Sequence, residues 1–287
     1  MNMTATKQAI TQELRAWIIA QARAGCRPDD VLQSMRSSGW DEETAMTALE
    51  TTLEEYLKDH AKANQLPPPV PVPAPDLAGA PSMVRALDRD VRVLLTMTSP
   101  RLVVFGGLLS DEECEEMIAL SSPRLARSET VHNASGGSEV HDSRTSDGMF
   151  FERGEHPICA RIEKRIAALV NWPLENGEGL QVLRYRPGAE YKAHHDYFDP
   201  AQPGTPTILQ RGGQRVGTVV MYLNTVPKGG GTSFPDVGVE VAPIRGNAVF
   251  FSYDRAHTTT RTLHAGTPVV EGEKWVATKW LREREFR

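Results

Sequence analysis

His194 and Asp196 stand two apart in YKAHHDYF, residues 191–198. An extended strand turns alternate side chains to one face, so both can reach one point while His195 faces away. Imidazole and carboxylate suit Fe(II), but an H-x-D pair arises often by chance. A third donor gives it meaning, and His264, in RTLHAG, stands seventy residues after His194. Two histidines and a carboxylate form a facial triad that leaves open coordination positions on Fe(II). A co-substrate chelating through two atoms would fill two of them, and O2 needs another. Lys274 follows His264 by ten residues, in EGEKWVATKW. There it can present a point charge to the far carboxylate of such a co-substrate. Taken singly, each residue has a commoner explanation: a core or surface histidine, an aspartate capping a turn before Pro200, a solvated lysine. Their order and their placement on strands favour the metal site.

Such a site needs strands to carry it. After Trp172 the chain reads as short strands, at 180–186, 190–197, 215–224, 247–253, 258–265 and 274–282, separated by turn clusters such as Pro187-Gly188 and Arg245-Gly246-Asn247. Before them, Ser110 and Glu113 form a capping box that opens one helix, and Pro157 starts a second through Ile162, Ile166 and Leu169. Helices followed by many short strands predict an α+β fold: a jelly-roll barrel with helices packed outside one sheet. The first sixty residues read as three short helices. Asp29 is expected to cap the second, Gly39 to stop it and Asp41 to cap the third. Between the bundle and the barrel, residues 66–81 (LPPPVPVPAPDLAGAP) hold seven prolines and favour an extended, semi-rigid spacer.

Composition narrows the function classes. The net charge of −5 gives no basic excess for nucleic acid or anionic membranes. The runs at 111–113 and 282–285 read as solvated surface. Cys26, Cys114 and Cys159 are odd in number and widely spaced, which predicts ordinary thiols in a reducing compartment. No stretch reaches the roughly 18 apolar residues of a membrane span, and the N-terminus has no signal-like apolar region, so the expected location is cytoplasmic. His60, His132, His141, His156 and His257 share no ligand spacing and receive no role.

The segments QVLRYRPGAEYKAHHDYF, GGQRVGTVVMYLN, GGGTSFP, GNAVFFSY and RTLHAGTPVVEGEKWVATKW occur in an order that resembles the prolyl 4-hydroxylase branch of the Fe(II)/2-oxoglutarate dioxygenases. The resemblance covers roughly residues 100–285. It implies a double-stranded β-helix (jelly-roll) in which His194, Asp196 and His264 bind iron and Lys274 binds the distal carboxylate of 2-oxoglutarate. Tyr185 and Thr232 match positions lining the 2-oxoglutarate pocket, and Tyr191 matches the aromatic before the iron motif. SRTSDGMF at 143–150 resembles the segment along the peptide groove, and Arg144, Ser146, Tyr191, Arg215 and Trp280 are the substrate-side residues the resemblance implies. The chain departs from the pattern at Arg282, where some relatives carry histidine, and at Gly231, where an acidic residue is common. The division expected is a helical bundle at 1–62, able to act as an interaction module, a Pro-rich linker at 63–82 and the dioxygenase domain at 83–287. SGWDEETAMTAL is faintly similar to ubiquitin-associated-type helices.

The resemblance further implies that decarboxylation of 2-oxoglutarate to succinate and CO2 is coupled to hydroxylation of a prolyl residue in a peptide or protein. O2 is consumed, and ascorbate restores oxidised iron. Two readings compete: the same chemistry on a non-prolyl substrate, and a non-catalytic cupin-like metal-binding module. Lys274 argues against the second, because a purely structural metal needs no anchor for a co-substrate.

Overall fold

A computed structural model of the chain describes residues 9–128, 130–131, 138–139 and 143–287. His132 and His141 lie outside the described residues. The chain divides into two compact units, Met1–Pro68 and Pro69–Arg287.

The first unit is a three-helix bundle: α1 (Gln12–Arg23), α2 (Pro28–Ser37) and α3 (Glu42–Ala63). Ile18, Val31, Met35, Ala45, Ala48 and Leu49 recur at helical spacing and form its core. Asp41 caps α3 by accepting from the Thr44 N–H. Asp29 does not cap α2: Arg27 holds the N-cap position, Pro28 occupies the first turn, and Asp29 lies inside the helix. Proline's fixed φ starts this helix without a side-chain cap.

The second unit contains β1 (Met83–Ala86), β2 (Arg89–Met97), β3 (Arg101–Gly106), α4 (Asp111–Ser121), β4 (Ala126–Arg127), β5 (Thr130–Val131), β6 (Ser138–Glu139), β7 (Asp147–Phe151), α5 (Pro157–Leu169), β8 (Leu180–Tyr185), β9 (Tyr191–His194), α6 (Thr205–Leu209), β10 (Arg215–Tyr222), β11 (Lys228–Gly229), β12 (Thr232–Phe234), β13 (Val239–Val241), β14 (Ala248–Ser252), β15 (His264–Gly266), β16 (Val269–Glu271) and β17 (Lys274–Arg282). Among the described residues, a major sheet runs β1-β2-β3-β14-β10-β17-β8-β7-β4 and a minor sheet runs β13-β12-β15-β9, with every pairing antiparallel. The two sheets face each other as a double-stranded β-helix, and α4 and α5 lie on the outer face of the major sheet.

Period-2 alternation sorts the major sheet into two cores. Val182, Val219, Met221, Phe250, Ala277 and Leu281 face Met117, Ile162 and Ile166 of the helices. Leu183, Val220, Tyr222, Val249, Phe251 and Val276 face the minor sheet, meeting Phe234 and Val241. Polar residues at inward positions, among them Gln181, Thr218, Thr278 and Lys274, therefore enter the barrel rather than solvent, and all four are buried.

Three expectations change. The β1–β3 strands precede the first helix of this unit and are invisible to a reading that starts its strands after Trp172. The segment 258–265 is strand only from His264, because His257 caps a tight turn at Thr258–Thr260 and Arg261 adopts a left-handed φ of 55°. The proline segment is not a free spacer along its length. Beyond Pro68 it lies along the second unit as a strap: the Val70 N–H donates to the Asp254 carbonyl at 2.8 Å, the Ala74 N–H donates to the Val170 carbonyl at 2.8 Å, and Pro73 is buried. Proline's extended preference leaves alternate N–H groups free to bond a neighbouring surface.

In each charge run one residue departs from the expected solvated surface. Arg282 is 2% exposed, because it belongs to the inward set of β17, and Glu113 is 6% exposed. The Glu113 side chain accepts from the Ser110 N–H, completing the capping box, and also accepts from both terminal nitrogens of buried Arg165 on α5. Among the described residues, no helix is long and apolar enough to cross a membrane.

Candidate active site

His194 ends β9 and His264 begins β15, and the two are register partners across the minor sheet. Asp196 lies in the bend just past β9, not on the strand as expected. Its carboxylate still meets both rings: His194 Nε2 is 3.6 Å from Oδ1 and His264 Nε2 is 3.5 Å from Oδ2. One donor atom from each of the three residues lies within 4.8 Å of the others, a set able to hold a metal ion.

The ring tautomers suit that use. His194 Nδ1 lies 2.9 Å from the Lys192 carbonyl and His264 Nδ1 lies 2.9 Å from the Thr262 carbonyl. A carbonyl only accepts, so each Nδ1 carries a proton, and in the neutral ring Nε2 then has its lone pair for a metal. Burial pulls the His264 ring down to about 4, against the pull of Asp196, so it is neutral at pH 7. Burial opposes ionisation of Asp196, but the His264 and His194 rings hold its carboxyl well below the usual range. Thr218 donates to Asp196 Oδ2 at 2.7 Å. Tyr191 stacks on His194 with ring centres 3.7 Å apart, and Phe251 packs against His264 at 4.7 Å. Two imidazoles, one buried carboxylate and aromatic walls fit Fe(II).

Lys274 opens β17 opposite Tyr185 on β8 and points inward. Its ammonium is 3% exposed, donates to the Gly231 carbonyl at 3.3 Å and lies 5.5 Å from the Tyr185 ring. Thr232 follows Gly231 and accepts from the Tyr222 hydroxyl at 2.8 Å. Lys274, Tyr185 and Thr232 thus come together deep in the barrel. Gly266, two residues past His264, separates them from Tyr191: a Cβ there would stand 3.7 Å from both Lys274 Nζ and Tyr191 Cβ.

Outside lies a cavity of about 940 Å³, lined by His194, Asp196, Arg144, Tyr191, Arg215 and Trp280 among others. Arg144 donates to Gln181 at 2.7 Å and its guanidinium lies 4.9 Å from the Tyr191 ring centre. Arg215 is held by two bonds to Glu178, at 2.7 and 2.9 Å, and stacks 3.9 Å from the Trp280 ring centre. Phe150, 54% exposed, stands on the same wall. Ser146 does not reach the cavity. It is fully buried and donates to Ser128, whose side of the wall faces the cavity instead.

Sequence reasoning passed over Gln181, Glu178, Thr218, Ser128 and Phe150. Gln181 and Thr218 carry a usable signal, a lone polar side chain in an otherwise apolar strand (LQVL and GTVVMY). Glu178 carries none, since its partners Arg215 and Arg282 stand 37 and 104 residues away.

The model of the 2OG-Fe(II) oxygenase superfamily matches residues 180–282. Prolyl 4-hydroxylase 2 of Arabidopsis thaliana is 40% identical over 218 residues, 68% of this chain and 71% of the relative. Prolyl 4-hydroxylase 1 of the same plant is 43% identical over 213 residues, covering 68% and 73%. Among solved structures, the viral collagen prolyl hydroxylase of Paramecium Bursaria Chlorella virus-1, in its 2OG complex, is similar at 30% identity and a TM-score of 0.49, covering 63% of this chain and 95% of that one.

Proposed function

The chain belongs to the prolyl 4-hydroxylase branch of the 2OG-Fe(II) oxygenase superfamily, and from that premise we propose that it hydroxylates prolyl residues in peptides or proteins. The observation that carries this reading is the convergence of one donor atom each from His194, Asp196 and His264, with His194 and Asp196 lining an open cavity. When bound, Fe(II) with 2-oxoglutarate and O2 supplies the oxidising power for C–H hydroxylation, yielding succinate and CO2.

The chain's own residues have separate tasks. His194, Asp196 and His264 hold the metal. Lys274 neutralises the distal carboxylate of 2-oxoglutarate, with Tyr185 and Thr232 shaping that end of the pocket. A buried ammonium is poised for an anion, since ion pairing relieves its desolvation. Tyr191 closes the space over His194 and helps exclude water. Arg144, Arg215 and Trp280 form the substrate wall, where aromatic faces suit the compact, N–H-free proline ring of an extended peptide. Ser146 supports that wall through Ser128 rather than touching substrate.

Ascorbate is the expected reductant for iron oxidised in uncoupled turnover. Cys26, Cys114 and Cys159 are free thiols, in keeping with a reducing, cytoplasmic setting. The helical unit is proposed to recruit a protein partner or substrate.

The test is 2-oxoglutarate-dependent succinate release with Fe(II), ascorbate and a panel of proline-containing peptides, read by mass spectrometry for added oxygen. Succinate matched by hydroxylated proline supports the reading. Succinate without peptide oxidation moves the substrate elsewhere, and no succinate from iron-loaded protein overturns the enzymatic assignment.

A further inference from the structure

The Asp196 carboxylate is 6% exposed and accepts from the Thr218 hydroxyl at 2.7 Å. That hydroxyl also lies 3.0 Å from the Tyr253 phenol oxygen. Thr218 is fully buried and Tyr253 is 2% exposed. Counting protons sets the direction of the chain. An ionised carboxylate only accepts, so Thr218 gives its one proton to Asp196, and Tyr253 must donate to Thr218.

The scaffold holds both groups firmly. Thr218 sits in mid-β10, between β14 and β17, and the Tyr253 N–H donates to the Val216 carbonyl at 3.1 Å. The Tyr253 ring is packed by Phe251 and Tyr197, with centres 6.2 and 6.1 Å away. Asp196, by contrast, lies past the end of β9, where no strand ladder orients it. Of the three proposed ligands, the two histidines are fixed by their own Nδ1 bonds to nearby carbonyls. The carboxylate is fixed from across the barrel.

We propose that Tyr253 and Thr218 form a directed hydrogen-bond relay that positions Asp196 for the metal, with Tyr253 acting only through Thr218. The relay rests on the iron-site reading above. By holding Oδ2 it sets the plane of the carboxylate, and so how the ligand meets the ion. Outer-sphere partners of this kind change metal affinity by about 10–100-fold when removed.

The test is titration of metal-free full-length protein with Fe(II) under anaerobic conditions, with Mn(II) as a redox-stable check, read by calorimetry. Thr218→Val, close in shape but without the hydroxyl, is expected to weaken the metal at least tenfold, while Thr218→Ser stays within about threefold of wild type. Tyr253→Phe is expected to weaken it about three- to tenfold. The double variant Thr218→Val/Tyr253→Phe should be no weaker than Thr218→Val, since the second residue acts through the first. Melting curves of the metal-free proteins separate this from unfolding. If Thr218→Val does not fold, Thr218→Ser with Tyr253→Phe decides. Unchanged affinity in Tyr253→Phe, or additive losses in the double variant, would overturn the relay. Wild-type protein that takes up neither metal would overturn the iron-site reading itself, and the relay with it.

Discussion

At the scale of single residues, the candidate site gathers few donors, and each has its own task. Among the described residues, one donor atom each from His194, Asp196 and His264 makes up the metal-holding set, so losing one ring removes one of three donors. His194→Ala should abolish Fe(II) binding and turnover, as measured by metal content and succinate release. Lys274 behaves differently. Burial draws its ammonium down to about 8, with Glu240 partly opposing. The side chain is charged below that pH and neutral above it, so its hold on a carboxylate weakens as pH rises through about 8. One unit above the pKa, roughly a tenth of the lysines carry charge, so KM for 2-oxoglutarate at pH 9 should be about tenfold that at pH 7. A flat KM across this range would show that Lys274 is not the anchor. Lys274→Ala should raise the same KM at neutral pH and leave Fe(II) affinity nearly unchanged.

At the scale of elements, two charged side chains join pieces that are distant in sequence. Glu113 caps α4 and grips Arg165 of α5 at once. Glu113→Ala should cost about 3 kcal/mol, because it leaves part of a buried guanidinium unpaired, while Ser110→Ala should cost ~1 kcal/mol for the cap alone. Chemical denaturation distinguishes the two. Arg282 donates to the carbonyls of Ile208, Arg211 and Gly213 beyond the start of α6, and approaches Glu178, the partner of Arg215, at 3.2 Å. Arg282→Ala should loosen that segment and raise KM for peptide about tenfold, with KM for 2-oxoglutarate unmoved. These residues also mark the limit of the sequence. The clustering of His194, Asp196 and His264, the buried inward place of Lys274, the capping box and most strands around the site were legible, because each follows from short spacing, alternation or an ordered run of motifs. Arg282 read as surface charge because its partners come from two loops whose meeting depends on the closed barrel. Ser146 read as a groove residue because resemblance carries identity and position but not which of two neighbouring serines faces the cavity.

At the scale of the whole molecule, the division falls at Pro68, and the proline strap beyond it belongs to the barrel unit. Protein starting at Pro69 should retain turnover on short peptides and lose it on a protein substrate recruited through the helices; equal loss on both would reject a recruiting role. Protein starting at residue 81 should melt at a lower temperature, since it uncovers the outer face of β10 and removes Leu77 from the helix-side core. The strap also leaves a mark that could be sought in descent. Pro73 Cγ lies 2.6 Å from where a Cβ on Gly217 would stand, so the strap and a side chain at 217 exclude each other. Lineages that shed the strap are released to enlarge position 217, and lineages that keep it are not, so the two sites should change together across relatives even though more than a hundred residues separate them.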